Sequence, residues 1–338
     1  MPRLSRRRFV FGASAAGLAL ASGGLLTSCQ RQVPLGVEPP RKQVRLGFLA
    51  LTSAEDNAVH LAALRAGLRD LGYVEGLQLT IEERFGDGRE EWLDELAADL
   101  VRQRVDVLVT ASTQATLAAM HTTRSVPIVF TNSGDPLGAG LVTSLARPGG
   151  NLTGLTSLNR ELAGKRLELL KTAAPKINRV AVLWADAAEG DVNATRAAAY
   201  WLGLRPEVFR VSRLDDLPAC LPAARDARVN ALVTVSTALL NSASTAIASF
   251  ASANRLPSIS EQPEYAGAGG LLAYGANLSA LSYRAASYVD KILSGANPGD
   301  LPVERAERFE LTINLRTAQA LNLVLPQPLL LQATEVVS

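Results

Sequence analysis

From Val44 onward, short apolar runs alternate with amphipathic segments. The run from Val44 to Leu49 has the pattern of a buried strand. The next apolar residues stand three or four positions apart, as on one face of a helix: Leu61, Leu64, Leu68 and Leu71. Gly72 follows them, and glycine is typical of a helix end. The continued alternation of strand and helix patterns predicts parallel strands covered by helices on both faces.

The pattern is repeated in the second half of the chain. Four segments have counterparts there in the same order: 44–49 with 180–183, 71–73 with 201–203, 104–110 with 228–234, and 126–128 with 256–258. A repeat of roughly 125 to 135 residues is too long for a solenoid unit and indicates two similar domains. The sequence therefore predicts an α/β protein with two Rossmann-like lobes.

The last part of the chain is too short for a third lobe. It contains a strand pattern at Leu271 to Tyr274, a helix pattern at Ser282 to Leu293 and a strand pattern at Phe309 to Ile313. These elements must join the existing sheets, so the chain crosses between lobes more than once through a multi-strand hinge. We expect residues 44–154 and 278–302 in lobe 1, and residues 155–277 and 303–330 in lobe 2.

The first 29 residues have the organisation of an export signal. Ser5-Arg6-Arg7-Arg8-Phe9 precedes an apolar run, Phe11 to Leu26, that is shorter than a bilayer-spanning helix. The arginine pair resembles a twin-arginine signal, and an ordinary secretion signal with a basic start is the alternative. Leu26-Thr27-Ser28-Cys29 resembles a lipobox, which predicts a lipid on Cys29 and a location in the periplasm or cell envelope. The proline-containing residues 30–43 are expected to form a tether.

Charge and composition narrow the function further. Of 34 basic and 32 acidic residues, seven basic and one acidic lie in the first 43, which leaves a mildly acidic body. That body has no basic cluster, so we expect no nucleic-acid partner. With two histidines and no nucleophile-elbow, phosphate-loop or paired-cysteine motif, we expect no enzymatic activity, no metal and no cofactor.

Several segments resemble the ABC substrate-binding family of type I periplasmic binding proteins, which includes tryptophan- and tyrosine-type binders. The matching segments are Leu71 to Gly76, Val126 to Phe130, Asp135-Pro136, Gly140 to Val142, Ser144 to Gly154, Lys165 to Leu170, Tyr288 to Leu293 and Phe309 to Leu315. The resemblance implies a monomeric protein that binds a small molecule between its lobes and delivers it to an ABC permease and ATPase. It also implies that the chain crosses to lobe 2 near Thr153 to Thr156.

Candidate ligand-binding residues follow the predicted strands, because ligands of parallel sheets bind beyond the carboxyl ends of the strands. In lobe 1 these residues are Ser53, Ser112, Thr113, Asn132 and Ser133. Ser112 and Thr113 precede an apolar run, so either could cap a helix, bind a carboxylate, or do both.

Lobe 2 supplies a second set of candidates: Trp184, Asp186, Ser236, Glu261 and Tyr274. An acidic residue here and hydroxyl groups in lobe 1 would suit a zwitterion such as an amino acid. Trp184 is either an aromatic wall or part of the core, and Tyr274 lies at the hinge or at the pocket edge.

Two departures from the family leave the ligand open. Amino-acid-binding members often have His-Pro after the first strand and Met-Ser-Tyr-Gly where the chain recrosses. This chain has Leu51-Thr52-Ser53-Ala54 and Leu272-Ala273-Tyr274-Gly275 instead. A sensor that presents its closed form to a membrane receptor is the alternative to a transport component.

Overall fold

The strands form two separate, mostly parallel sheets in the computed structural model, which describes residues 43–186 and 188–338. The expected export signal, Cys29 and the tether up to residue 42 lie outside these residues. The first sheet has the order β11-β5-β4-β3-β1-β2, and the second has the order β13-β12-β10-β9-β8-β6-β7. The strands are β1 (Val44–Ala50), β2 (Leu79–Phe85), β3 (Val107–Thr110), β4 (Ile128–Ser133), β5 (Leu152–Thr156), β6 (Arg179–Trp184), β7 (Arg205–Arg210), β8 (Ala231–Thr234), β9 (Ser258–Ser260), β10 (Leu272–Ala276), β11 (Glu304–Arg305), β12 (Phe309–Asn314) and β13 (Glu335–Val337).

Helices connect most of these strands. They are α1 (Ala54–Asp70), α2 (Leu93–Arg102), α3 (Thr113–Thr122), α4 (Asn159–Ala173), α5 (Glu189–Trp201), α6 (Leu217–Asp226), α7 (Ala238–Ser242), α8 (Ser244–Ala253), α9 (Pro263–Gly267), α10 (Leu278–Leu293), α11 (Leu315–Ala320) and α12 (Gln327–Leu330). In the part of the chain that the structure describes, no helix has both the length and the apolar character that a membrane crossing needs.

Each sheet is packed between two layers of helices. Helices α1 and α10 cover one face of the first sheet, and α2 and α3 cover the other. Helices α4 and α5 cover one face of the second sheet, and α6 and α8 cover the other. Every residue of β3 and β8 is buried, as expected for central strands of a parallel sheet covered on both faces. The predicted α/β class with two Rossmann-like lobes is confirmed.

The internal repeat extends to backbone conformation and hydrogen bonding. Arg104 and Arg228 both have a φ of 56°, and each precedes a central strand of its sheet. Two residues further on, Asp106 Oδ2 accepts a hydrogen bond from the Arg45 backbone N–H at 2.9 Å, and Asn230 Oδ1 accepts one from Arg179 N–H at 3.0 Å. The same turn therefore ties the start of the first strand to the central strand in both lobes.

The chain passes between the sheets at three places. It leaves the first sheet after β5, returns to it after β10, and leaves it again between β11 and β12. The crossing expected at Thr153 to Thr156 coincides with β5, which pairs with β4 on one side and β11 on the other. The first of the three crossings is therefore at Ser157 and Leu158, where Leu158 adopts a φ of 59°.

The sheet assignments differ in detail from the lobe boundaries expected from sequence. The expected boundary after residue 154 falls within β5, and the one after residue 302 precedes β11, although both strands belong to the first sheet. The second lobe also continues past residue 330, because β13 pairs with β12 at its edge.

Candidate functional site

A cavity of about 370 Å³ lies between the two sheets, at the carboxyl ends of their strands. In the first sheet its lining follows β1, β3 and β4, and in the second it follows β6, β8 and β9. Parallel strands bring the loops at their carboxyl ends together, and helix N-termini there direct N–H groups outward. The cavity is large enough for a small organic molecule.

The first-lobe wall is built around the N-terminus of α3. Ser112 caps this helix, because its Oγ accepts a hydrogen bond from Ala115 N–H at 3.1 Å. Thr113 Oγ1 and Ser133 Oγ lie 3.1 Å apart. The buried Oδ1 of Asn132 has no hydrogen-bond partner among residues 43–186 and 188–338. The wall therefore offers hydroxyl groups, helix N–H groups and one unsatisfied carbonyl oxygen.

Asp191, in the first turn of α5, is the most buried carboxylate of the cavity lining. Only 5% of Asp191 is exposed, and its Oδ1 has no hydrogen-bond partner within the described part of the chain. Burial and then the nearby Glu261 carboxylate raise the pKa of Asp191 to about 7, and Arg166 opposes this shift. Asp191 therefore changes charge near neutral pH.

Two further polar groups complete the second-lobe wall. Gln262 is 6% exposed, and no described residue accepts a hydrogen bond from its Nε2. Thr237 caps α7, because its Oγ1 accepts a hydrogen bond from Leu240 N–H at 3.2 Å. A buried amide that lacks a partner costs free energy unless a bound molecule or water satisfies it.

A buried charge pair lies behind this wall. Arg166 Nη1 lies 3.7 Å from Glu261 Oε2, and its Nη2 donates a hydrogen bond to Asn159 O at 2.6 Å. Burial raises the pKa of Glu261, and the Arg166 guanidinium opposes that rise. The side chains of Ser236 and Asn159 also favour the ionised form of Glu261 and so lower its pKa.

Direct contacts join the lobes at the edge of the cavity. Arg160, in α4, donates a hydrogen bond from Nη1 to Asp135 Oδ2, which follows β4, at 3.1 Å. Gly134, next to Asp135, lies so close to α4 and α5 that an added Cβ would be 2.9 Å from both Asn159 Nδ2 and Asp191 Oδ2. The two lobes are therefore in direct contact at this edge.

The sequence profile of the family described as ABC transporter substrate binding protein matches residues 53–337. The chain belongs to this family. Its members are the extracytoplasmic, small-molecule-binding components of transporters rather than enzymes, which confirms the expectation that the chain has no enzymatic activity. The resemblance inferred from sequence is likewise confirmed.

Three known proteins are similar to this chain over most of its length. A tyrosine-binding protein of Clostridioides difficile is 26% identical over 286 residues, which cover 84% of this chain and 82% of that protein. A conserved domain protein of Vibrio cholerae has 25% identity and a TM-score of 0.83, with 87% of this chain and all of that chain covered. An ABC domain of Streptococcus pneumoniae in complex with L-Trp has 24% identity and a TM-score of 0.82, with 88% and 100% covered.

Five of the ten ligand-binding residues expected from sequence line the cavity of this substrate-binding protein: Ser112, Thr113, Asn132, Ser133 and Ser236. The other five lie outside the lining: Ser53, Trp184, Asp186, Glu261 and Tyr274.

Each residue outside the lining has another contact. Ser53 caps α1, with its Oγ accepting a hydrogen bond from Asp56 N–H at 3.2 Å. Arg210 holds Asp186 with two hydrogen bonds of 2.6 and 2.8 Å, which lowers the pKa of that carboxyl. Trp184 and Tyr274 pack against the second-lobe core, and Glu261 is buried beside Arg166.

The polar lining residues that sequence reasoning missed include His60, Asp191, Gln262 and Glu264. Asp191 had a detectable signal, since it is an acidic residue in the first turn of a predicted helix after a strand. The described residues contain no group of three or more histidine, cysteine, aspartate or glutamate side chains that could hold a metal ion.

Proposed function

We propose that this protein is an exported, lipid-anchored solute-binding protein of an ABC importer, which holds a small polar solute between its lobes and delivers it to a membrane permease. Amino acids are one class of such solutes. The observation that carries the proposal is the cavity itself. Both lobes line it, and three of the lining residues, Asn132, Asp191 and Gln262, each carry a buried polar atom without a partner in residues 43–186 and 188–338.

The mechanism follows from the three chain crossings and the position of the cavity. A solute that contacts both walls binds the closed arrangement more strongly than the open one, so it shifts the population toward closure. The permease can then distinguish loaded from empty protein by the relative position of the lobes. A micromolar affinity corresponds to about −8 kcal/mol, which several buried hydrogen bonds could supply.

The test is to identify a retained solute and to measure closure. Native mass spectrometry of freshly purified protein would give the mass of any bound solute. Small-angle scattering before and after its removal should show a larger radius of gyration for the empty protein. Identical scattering curves with and without a confirmed bound solute would contradict the proposal.

Gly134→Ala is expected to weaken solute binding about tenfold while the empty protein keeps its stability. In this arrangement of the lobes the added methyl group would meet Asn159 and Asp191, and overpacking of this kind costs about 1 to 3 kcal/mol. We expect separation of the lobes in the empty protein to relieve it. Calorimetric titration with the identified solute measures the change. Gly164→Ala is the control, because a Cβ there would meet only Ala198 Cβ, at 3.9 Å. Equal affinities in the two variants would show that Gly134 does not pack across the cleft during binding.

Cys29→Ala is expected to move the protein from the membrane fraction to the soluble extracytoplasmic fraction. The proposed diacylglycerol on Cys29 supplies membrane affinity of about 0.8 kcal/mol for each buried methylene group. Fractionation and mass determination of the mature protein test this. An unchanged mass and an unchanged distribution would refute lipid anchoring at this residue.

A further inference from the structure

The side chains of the cavity carry a strongly unbalanced charge. Its lining contains five carboxylates and, among the described residues, neither lysine nor arginine: the acids are Glu55, Asp56, Asp135, Asp191 and Glu264. His60 is the one basic side chain of this lining, and burial lowers its pKa, which favours the neutral form. The lining therefore has no cation of its own at neutral pH.

Two of these carboxylates are already engaged. Asp135 accepts the hydrogen bond from Arg160, and Asp56 takes part in the capping box of α1 with Ser53. Arg166 is the nearest buried cation to Asp191, but it lies beside Glu261 and donates to Asn159 O. Glu55 and Glu264 form no ion pair with any described residue, and Asp191 adds negative charge in its ionised form.

The buried groups without partners point to a ligand independently of this charge. Asp191 Oδ1 and Asn132 Oδ1 are hydrogen-bond acceptors on opposite walls, and neither has a donor within the described residues. An amino or guanidino group carries several N–H donors, which acceptors of this kind need. Gln262 Nε2, a donor without a described partner, would bind an oxygen of the same molecule.

Few of the side chains that line the cavity are apolar. They are Val59, Ala111, Ala188, Ala238 and Leu278, and no phenylalanine, tyrosine or tryptophan is among the described lining residues. A buried aromatic ring needs a large apolar or aromatic surface around it. In this cavity, hydroxyl, amide and carboxylate side chains outnumber the apolar ones.

We propose, on the basis of the function proposed above, that the solute is a hydrophilic organic cation without an aromatic ring, and that its amino or guanidino group binds the Asp191 carboxylate. The inference concerns the class of solute. A neutral or aromatic solute in the same cavity would refute it and leave the proposed function intact.

The test compares cationic and aromatic probes on the mature protein after removal of any retained solute. Calorimetric titrations with spermidine, putrescine and L-arginine are expected to show binding by at least one of them. L-tryptophan and L-tyrosine are expected to bind at least tenfold more weakly than that cation. Tighter binding of either aromatic amino acid, or failure of every cation to bind, would overturn the inference.

Substitution of Asp191 tests the contact itself. Asp191→Asn is expected to weaken binding of the cation at least tenfold, because the amide keeps the shape but loses the charge. Glu189→Gln is the matched control: it removes the same charge from the first turn of the same helix, but Glu189 is exposed and outside the lining. Its effect should stay within about twofold. Equal effects of the two substitutions would show that only the long-range field of α5 matters, contrary to the proposed contact.

The pH dependence provides a readout that packing changes would not reproduce. Only ionised Asp191 attracts a cation, so binding should strengthen about tenfold between pH 6 and pH 8, through the pKa of about 7. The charged groups that face Asp191 are Glu261, Arg166, Asp135 and Glu161.

In Asp191→Asn this pH dependence should be lost. Circular dichroism is the control for whether the variant is folded. If Asp191→Asn does not fold, Glu264→Gln replaces it, with a twofold to tenfold loss of affinity expected. A wild-type affinity that is independent of pH would contradict binding at Asp191. A retained solute that is neutral or aromatic would overturn the inference alone, whereas absence of closure with any solute would overturn the proposed function.

Discussion

Arg166→Met is expected to lower the free energy of unfolding by about 3 to 5 kcal/mol, the usual cost of removing one partner from a buried charge pair. Arg166 is 3% exposed and Glu261 is 2% exposed, so water cannot replace the lost guanidinium. Methionine fills a similar volume, and the substitution therefore removes mainly charge and the hydrogen bond to Asn159 O. Urea denaturation followed by circular dichroism measures the loss.

The loss should be larger at pH 8 than at pH 5.5. The Arg166 guanidinium opposes the upward shift in the pKa of both Glu261 and Asp191. Without it, both pKa values rise further, and the folded state resists ionisation over a wider pH range. A loss that is the same at both pH values would show that packing, not charge, explains the role of Arg166.

Two controls separate the charge pair from its surroundings. The double variant Arg166→Met/Glu261→Gln should lose less stability than Arg166→Met alone, because the Glu261 carboxylate is then not left buried without its cation. Arg160→Ala removes an arginine from the same helix, but its side chain is 54% exposed. An exposed ion pair contributes about 0 to 1 kcal/mol, so Arg160→Ala should have a small effect on stability.

The sequence contained enough information for the architecture because the strands are short and buried on both faces. Segments such as 107–110 and 231–234 consist of apolar or small residues between polar turns, a pattern that few other structures produce. The repeated Arg-Val-Asp and Arg-Val-Asn segments before these strands also have a local physical role, since Asp106 and Asn230 each bind the start of the neighbouring strand.

The lobe boundaries depended on pairings that sequence does not show. β11 has two residues and β13 has three, too few for a recognisable hydrophobic pattern. Each joins its sheet through backbone hydrogen bonds to a distant strand, β5 and β12 respectively. The position of the crossing after β5 follows from this pairing.

The residues of the candidate site were likewise only partly predictable from the sequence. Hydroxyl groups at the N-terminus of α3 were predictable, because a residue that follows a strand and caps a helix has a defined position. Whether Asp186 or Asp191 faces the cavity was not predictable. The answer depends on Arg210 at the end of β7, which lies 24 residues from Asp186 and binds it with two hydrogen bonds.

The same argument applies to the aromatic residues. Trp184 is the last residue of β6 and Tyr274 lies in the middle of β10, and both rings pack against the second-lobe core. Arg210 lies 5.9 Å from the centre of the Trp184 ring, and Tyr274 contacts Phe309 with ring centres 6.4 Å apart. Side-chain direction at a strand end depends on neighbours that are distant in sequence.

Asp191→Asn is expected to stabilise the solute-free protein at neutral and alkaline pH. The folded-state pKa of Asp191 is about 7, against an ordinary value of 3.8. Its contribution to stability is fully present below pH 3.8 and is lost as the pH rises through 7, because the unfolded chain ionises more readily. Three pKa units correspond to a loss of up to about 4 kcal/mol. Asparagine cannot ionise, so the variant should avoid this loss.

The difference between wild type and Asp191→Asn should therefore be small at pH 4, grow between pH 4 and pH 7, and stay constant above pH 8. Urea denaturation at a series of pH values measures it, with Glu189→Gln as the control that should follow the wild type. Parallel curves for wild type and Asp191→Asn would contradict the buried-carboxylate explanation. Asp191 lowers the free energy of unfolding of the empty protein. A bound cationic solute would offset this cost, because it supplies the positive charge that the cavity lacks. Stabilisation of the empty protein and loss of cation affinity should therefore appear together in this one variant.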